Sequence, residues 1–218
     1  MNIKTIQNEL QNILCRPSED SHRKSIQAIT RYLRESQKTS ALAATDQHFK
    51  REETERLISY INKNNLWNCN INFNSFLSEG AEQKVFIENN TKVLKLNDTI
   101  YYASWVDYLE NLLLNNYFFP DTAYELLGFY KSNDDVLYAL VEQNYIEANQ
   151  PTSLSLVKEF LANNGFVNTK NNDYYHPELG IILEDLHDEN VLTQNEILYF
   201  IDTVFYIKPE IFWKNSEF

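Results

Sequence analysis

Three polar residues stand at the ends of apolar runs in the last fifth of the 218-residue chain. The runs Ile181–Leu183 and Ile197–Ile201 are short and bounded by polar residues, which predicts two buried strands. Asp185 follows the first run, Asn190 lies five positions later, and Asp202 lies twelve positions after Asn190. Packing alone would not select these side chains there, so this spacing constrains the fold more than any other feature. The alternative is an ordinary β-hairpin with a solvated polar loop.

The spacing of these three residues is that of phosphoryl-transfer sites. In such sites one Asp orients the acceptor hydroxyl, an Asn five residues later binds magnesium, and a second Asp on the next hairpin binds the same metal cluster. Oxygen ligands suit Mg²⁺, which takes only one or two carboxylates from the protein. We therefore predict that Asp185 is catalytic and that Asn190 and Asp202 are metal ligands.

The composition describes a folded and acidic chain. Hydrophobic residues make up 43% of the sequence and aromatic residues 14%, which is typical of a globular protein with one substantial core. Residues 1–60 carry 10 basic and 8 acidic side chains, a net charge of +2, while residues 61–218 carry 9 and 23, a net charge of −14. Phosphate contacts need Lys and Arg, so we expect no nucleic acid and no anionic membrane among the partners.

Cysteine usage and the N-terminus bear on location. The two cysteines, Cys15 and Cys69, have no metal-ligand spacing and suggest no disulfide framework. Polar residues interrupt residues 1–15, so no signal peptide is expected there, and no run approaches the ~18 apolar residues of a membrane span. The sequence predicts a cytoplasmic protein.

The periodicity of the chain changes after residue 66. Apolar residues recur at helical spacing before that point, and shorter alternating or apolar runs follow it. We predict a helical N-terminal segment over residues 1–66 and an α+β domain over residues 67–218. The predicted helices cover 2–15, 18–35, 45–64, 101–119 and 152–164, the predicted strands cover 73–77, 84–87, 92–96, 123–130 and 136–145, and the predicted loops cover 36–47 and 168–177. Ser18, Thr45 and Thr152 are predicted to start helices.

A nucleotide site would also need a lysine on the third predicted strand. Lys95 stands there between two leucines; the alternative is a charge that protects an edge strand from aggregation. The lysine would need a carboxylate partner on the following helix. Glu110 is preferred because its side chain reaches farther, and Asp107 is the alternative.

Other parts of a nucleotide site leave weaker signals. Gly80 would let the backbone amides of Gly80 and Ala81 approach phosphates, and an adenine hinge would fall at 141–145. His187 with Asp188 and Glu189 offers an alternative metal group, although adjacent loop residues seldom converge on one ion.

Longer strings of the sequence resemble one family. These strings are Phe76–Val85, Val93–Asp98, Asn116–Leu126, Asn172–Tyr175, Pro177–Asn190 and Phe200–Tyr206. Together, residues 73–207 resemble the protein kinase domain found in polyvalent proteins of bacterial mobile elements and phages, a kinase-like family similar to aminoglycoside phosphotransferases. The sequence departs from the usual kinase pattern at Leu183, where a His is expected, and Gly80 alone remains of the glycine-rich loop.

The resemblance implies a protein-kinase-like fold of two lobes, with a small antiparallel sheet lobe and a reduced large lobe. It implies ATP and Mg²⁺ as cofactors, and Lys95, Asp185, Asn190 and Asp202 in the usual roles. The acceptor would be a hydroxyl of a protein Ser or Thr or of a small molecule. Only sixteen residues follow Asp202, so we hypothesise that residues 1–66 pack against the segment around it and replace the missing helices.

Two other functions fit the same residues. A catalytically inactive kinase fold could serve as a binding or regulatory module, which the single glycine, the missing His and the short C-terminal part favour. An unrelated α+β interaction domain would follow if the resemblance were accidental.

Overall fold

The computed structural model describes residues 2–16, 21–37, 46–80 and 83–214. Over these ranges the chain is an α+β protein with antiparallel sheets and several helices. None of the helices described there has both the length and the apolarity needed to cross a membrane. The helix starts predicted at Ser18 and Thr45, and most of the loop predicted over 36–47, lie outside the described residues.

The chain divides into two compact units. The first comprises Pro17–Leu113 and Ala123–Tyr145 and is called the five-stranded unit. The second comprises Met1–Arg16, Leu114–Thr122 and Ile146–Phe218 and is called the four-stranded unit.

The five-stranded unit is built on one antiparallel sheet of order β1-β2-β3-β5-β4. Its strands are β1 Phe76–Glu79, β2 Gln83–Asn89, β3 Lys92–Asn97, β4 Glu125–Lys131 and β5 Leu137–Asn144. Its helices are α2 Ser21–Gln37, α3 Asp46–Asn64 and the part of α4 (Trp105–Phe118) that ends at Leu113. The central strand β3 is buried on both faces. Leu94 and Leu96 pack with Phe86 and Leu140 on one face, and Val93 and Lys95 are buried on the other.

The helices α2 and α3 belong to the core of the five-stranded unit. Ile26, Ile29 and Leu33 of α2 are buried, as are Leu57 and Ile61 of α3. These positions recur at the helical period, so each helix buries one apolar face. The two helices contact each other, and α2 also contacts β4.

The chain that leaves α3 joins the edge of the sheet. The N–H of Phe129 donates to the carbonyl of Leu66 over 2.9 Å, and the N–H of Asn68 donates to the carbonyl of Phe129 over 2.8 Å. Gly128 permits this approach, since a Cβ there would lie 2.4 Å from the Leu66 oxygen and its φ is +140°. A short 3₁₀ turn, Phe73–Ser75, then precedes β1, where the sequence predicted a strand.

The four-stranded unit has a sheet of order β11-β8-β7-β6 and a separate hairpin of β9 and β10, all antiparallel. Its strands are β6 Val167–Lys170, β7 Asp173–His176, β8 Ile181–Glu184, β9 Val191–Gln194, β10 Ile197–Phe200 and β11 Val204–Ile207. Its helices are α1 Ile3–Cys15, α5 Leu154–Asn163 and α6 Pro209–Phe212.

Aromatic rings fill much of the four-stranded unit. Phe119 and Phe200 stack with ring centres 4.1 Å apart and planes 5° from parallel. Phe118 stacks on Phe205 at 5.6 Å and meets Phe166 edge to face at 6.0 Å. The phenylalanines thus join the end of α4 to β10 and β11 within this unit.

Several predicted elements differ from the structure. The predicted polar loop over 168–177 is instead the hairpin of β6 and β7, because Asn171, with a φ of +49°, makes a tight turn possible. Ser153, not Thr152, is the N-cap residue of α5, and the hydroxyl of Thr152 lies 2.9 Å from that of Thr193. The helix predicted from residue 101 begins at Trp105.

The two apolar runs near the C-terminus are both strands, as predicted, but Ile197–Phe200 is not a buried strand, since only Phe200 in it is buried and Ile197 is exposed. The two strands also do not pair with each other. Ile181–Glu184 pairs with β7 and β11, whereas Ile197–Phe200 pairs with β9. The hairpin of β9 and β10 is therefore an insertion between two strands of the larger sheet.

The helical N-terminal segment contributes to both units. The helix α1 belongs to the four-stranded unit, and α2 and α3 belong to the five-stranded unit. The helix α1 is the part of this segment that shares a unit with Asp202, and the hypothesis that the segment supports the region around Asp202 stays a prediction. The domain boundary predicted after residue 66 stays a prediction.

Candidate functional site

The loop between β8 and β9 is held by its own backbone. Asp185 has a φ of +66°, a left-handed conformation that Asp adopts more readily than most residues. The N–H of His187 donates to the carbonyl of Asp185 over 3.0 Å. The N–H groups of Asn190 and Val191 both donate to the carbonyl of His187, over 3.1 and 2.9 Å. Leu186 is fully buried and anchors the loop, while Asp185 is exposed.

Asn190 and His187 orient the carboxylate of Asp185. The amide Nδ2 of Asn190 donates to the main-chain oxygen of Asp185 over 2.9 Å and to its Oδ2 over 3.0 Å. The Nε2 of His187 lies 3.3 Å from Oδ1 of Asp185, and its Nδ1 accepts the N–H of Glu189. A neutral His187 therefore carries its proton on Nε2, toward the carboxylate. The Asp185 side chain is thus fixed although 59% of it is exposed.

The hairpin of β9 and β10 brings Asp202 next to Asn190. The N–H of Ile201 donates to the carbonyl of Asn190 over 2.9 Å, which closes the base of the hairpin. Asp202 is the next residue in the chain and is half-buried between β10 and β11. Asn190 and Asp202, twelve positions apart in sequence, are thereby neighbours in the fold.

Negative charge is concentrated around this loop. Burial and the charges of Asp173 and Asp185 raise the pKa of Glu184 above its usual range. Asp173 also accepts the N–H of Asp185 on its Oδ1, over 3.2 Å. A cation bound nearby would relieve the repulsion among these carboxylates.

The oxygen atoms of Asn190 and Asp202 fit the ligand preferences of magnesium. Mg²⁺ keeps several waters and binds phosphate oxygens, so it needs only one or two protein carboxylates. Asn190 uses its amide nitrogen on Asp185, which leaves the amide oxygen to bind a cation. In the described part of the chain, no group of three or more His, Cys, Asp and Glu residues is arranged to hold a metal alone. The alternative metal group at His187, Asp188 and Glu189 is therefore wrong.

Lys95 lies in the five-stranded unit, on the face of β3 opposite Leu94 and Leu96. Only 3% of Lys95 is exposed, and β3 lies between β2 and β5. The alternative of a protective charge on an edge strand is therefore wrong. The ammonium of Lys95 lies 5.3 Å from the centre of the buried Tyr124 ring, whose face attracts a cation.

Glu110 and Asp107 lie on α4 in different surroundings. The carboxylate of Glu110 forms an ion pair with the guanidinium of Arg34 on α2, and the Glu110 side chain is 16% exposed. Asp107 is exposed, and its N–H donates to the hydroxyl of Ser104 over 3.0 Å. The role of Glu110 as the partner of Lys95 stays a prediction.

Gly80 directly follows β1 and lies in the turn between β1 and β2. Its N–H donates to the carbonyl of Gln83 over 2.8 Å, and a Cβ there would meet only that oxygen, at 3.9 Å. Ala81, which was predicted to approach phosphates with Gly80, lies outside the described residues. The adenine hinge predicted over 141–145 coincides with the end of β5, and its role also stays a prediction.

Sequence reasoning missed a set of contacts made by α3. Lys50 hydrogen-bonds to the segment that links β3 to α4. Glu53 and Thr54 hydrogen-bond to the first residues of α4. A signal was present, because Glu53 occupies a position on the apolar face of α3, where a carboxylate needs a specific partner.

Comparison with known proteins gave one family. The model of a family described as a serine/threonine/tyrosine kinase found in polyvalent proteins matches residues 50–209, which is most of the chain. No curated protein and no solved structure matches the chain significantly. The matched range includes Lys95, Asp185, Asn190 and Asp202, and it begins at Lys50 on α3.

Proposed function

We propose that this chain, which belongs to the family of serine/threonine/tyrosine kinases found in polyvalent proteins, transfers the γ-phosphoryl group of ATP to a hydroxyl acceptor with Mg²⁺ as cofactor. The family match supports a kinase-like phosphotransferase. The use of ATP and magnesium, the two-lobed kinase architecture, the acceptor and the residue roles are our proposal.

Each predicted site residue has one role in this proposal. Lys95 binds the phosphates of ATP, and Asn190 and Asp202 supply oxygen ligands to magnesium. Asp185 orients the acceptor hydroxyl and accepts its proton. The metal supplies charge neutralisation when bound, and most of the rate enhancement comes from positioning and electrostatics.

The observation that carries this proposal is the hydrogen bond between the side chains of Asn190 and Asp185, 3.0 Å long, beside the backbone contact of Asn190 with Ile201. A solvated hairpin loop would not need an amide aimed at a carboxylate five residues away. The same loop holds the base in a fixed orientation and leaves an amide oxygen for the metal.

Thermal unfolding with and without Mg-ATP tests the nucleotide site. A ligand at a hundredfold excess over Kd stabilises the folded state by about 2.7 kcal/mol. For a chain of this size we expect Tm to rise by about 5–10 °C. The Asp202→Asn variant should lose this rise, because the neutral amide is a weaker magnesium ligand than the carboxylate.

The matched control is Asp188→Asn, which makes the same chemical change at an exposed position of the neighbouring loop. It should keep the full rise in Tm. No rise in the wild type at millimolar Mg-ATP, or an equal rise in Asp202→Asn, would contradict the proposed site.

The alternative is an inactive kinase-like module. The ion pair of Glu110 with Arg34 favours it, since that carboxylate is already engaged. Transfer of labelled γ-phosphate to a library of Ser, Thr and Tyr peptides and to small hydroxyl compounds separates the two. Transfer that disappears in Asp185→Asn supports an enzyme, whereas Mg-ATP binding without transfer to any acceptor supports the module.

A further inference from the structure

One face of α3 holds the connection between β3 and α4. The ammonium of Lys50 donates to the carbonyl of Thr99 over 2.5 Å and to that of Tyr102 over 2.7 Å. Thr99 is fully buried and has a φ of +60°, a conformation that is rare for a β-branched residue. The contact with Lys50 helps to hold this unusual turn.

Glu53 caps the start of α4 from the same face. Its Oε2 accepts the N–H of Trp105 over 2.6 Å and its Oε1 the N–H of Val106 over 3.4 Å. The first N–H groups of a helix have no partner within it, and a negative charge there is favourable. Only 1% of Glu53 is exposed, so this carboxylate depends on its partners to offset the loss of water.

A third contact completes the set. The indole Nε1 of Trp105 donates to the hydroxyl of Thr54 over 3.0 Å. Lys50, Glu53 and Thr54 are spaced three and four residues apart and so lie on one side of α3. Together they fix both ends of the segment from Thr99 to Trp105.

This segment links the strand of Lys95 to the helix of Glu110. Its geometry sets where α4 begins and how α4 is directed relative to β3 within the five-stranded unit. We propose that α3 positions α4 for nucleotide binding, with Glu53 as the principal positioning residue. The inference rests on the proposed function, and it gives α3 a role that the sequence did not reveal.

The test measures Mg-ATP affinity of the full chain by calorimetry at 20 °C, where circular dichroism confirms folding. In Glu53→Gln one oxygen acceptor becomes a donor and the charge is lost, so the cap of α4 keeps a single neutral acceptor and is weakened. We expect Kd to rise about tenfold or more, because small displacements of positioning groups cost large factors in site function. The control is Glu55→Gln, the same change on an exposed part of α3, which should leave Kd unchanged.

A cap that serves stability alone would lower the Tm of Glu53→Gln without changing Kd, and that result would overturn the inference. If Glu53→Gln does not fold, Lys50→Met is measured in its place. This substitution keeps the aliphatic chain and removes the two hydrogen bonds to the carbonyls of Thr99 and Tyr102. An unchanged Kd in Lys50→Met would also overturn the inference. Failure of the wild type to bind Mg-ATP overturns the proposed function, and the inference falls with it. Normal binding by the wild type and by the folded variant overturns the inference alone.

Discussion

His176 is an ionisable residue that the fold buries almost completely. His176, at the end of β7, has an exposed fraction of 4%, and its Nδ1 accepts the N–H of Leu179 over 3.2 Å. Burial lowers the pKa of His176, against the smaller opposing effect of Glu178. Gly165 leaves room for the ring, since a Cβ there would lie 2.6 Å from Nε2. The fold therefore favours a neutral imidazole at this position.

The lowered pKa of His176 predicts a loss of stability in mild acid. The unfolded chain binds a proton near pH 6.5, before the folded chain does, so the free energy of unfolding falls as pH drops through that value and is unaffected above about pH 7.5. Urea unfolding between pH 5.5 and 7.5 should show a smaller decline for His176→Gln than for the wild type. The exposed His48 offers a control, and an equal decline in His48→Gln and His176→Gln would contradict the assignment.

Some single residues stand out in the sequence because of their chemistry, and their roles stay predictions. Lys95 between two leucines, and the spacing of Asp185, Asn190 and Asp202, are visible in the sequence. His176 was expected in a loop because polar residues and Pro177 surround it, and its burial depends on the neighbouring Gly165 and Phe166. Such tertiary surroundings leave no local pattern.

At the scale of elements, side chains of α1 cap the C-terminal end of α6 within the four-stranded unit. The side-chain amide of Gln7 donates to the carbonyls of Ile211 and Phe212 over 3.1 and 3.0 Å, and that of Gln11 donates to Phe212 over 2.5 Å. The last carbonyls of a helix have no partner within it. Two buried glutamines on α1 thus act as the C-terminal cap of α6.

This cap predicts the effect of Gln11→Met. The substitution keeps the length of the side chain but leaves the Phe212 carbonyl with fewer partners in a buried environment. We expect the free energy of unfolding, measured in urea, to fall by about 1–3 kcal/mol. The control is Asn8→Met on the exposed side of α1, which should change it by less than about 0.5 kcal/mol. Equal effects of the two substitutions would show that the contacts with α6 contribute nothing.

Element type was more predictable than element pairing. Helical periodicity located α1, α2 and α3, and the apolar runs located β8 and β10. The pairing of β8 with β7 and β11 was not predictable, because β6 and β7 are too polar to be recognised as strands. Likewise, no local signal shows that Leu66 joins the edge of β4 beside Gly128.

At the scale of the whole molecule, the N-terminal helices are part of the folded core. The apolar faces of α2 and α3 are buried in the five-stranded unit, and α3 also caps α4. The α+β class was predictable from the change in periodicity after residue 66, whereas the assignment of α1 to a different unit from α2 and α3 was not.

Deletion of residues 1–66 tests this organisation. Removing them exposes the apolar surface that α2 and α3 cover and leaves the start of α4 without Glu53, so we expect residues 67–218 to lack a cooperative thermal transition. Calorimetry and the dispersion of amide resonances measure this outcome. A fragment that unfolds cooperatively at a Tm close to that of the full chain would contradict it. A parallel deletion of residues 1–16, which removes only α1, should leave the amides of β3 and β5 protected from exchange.

The glutamine contacts between α1 and α6 also bear on how the protein is made. Gln7 and Phe212 are 205 positions apart in the chain. At roughly 5–20 residues per second on the ribosome, α1 waits on the order of 10–40 s for its partner. The whole of the five-stranded unit, up to Tyr145, is synthesised within that interval and can fold first. During biosynthesis α1 therefore lacks the partner that its two glutamines cap until α6 has been synthesised.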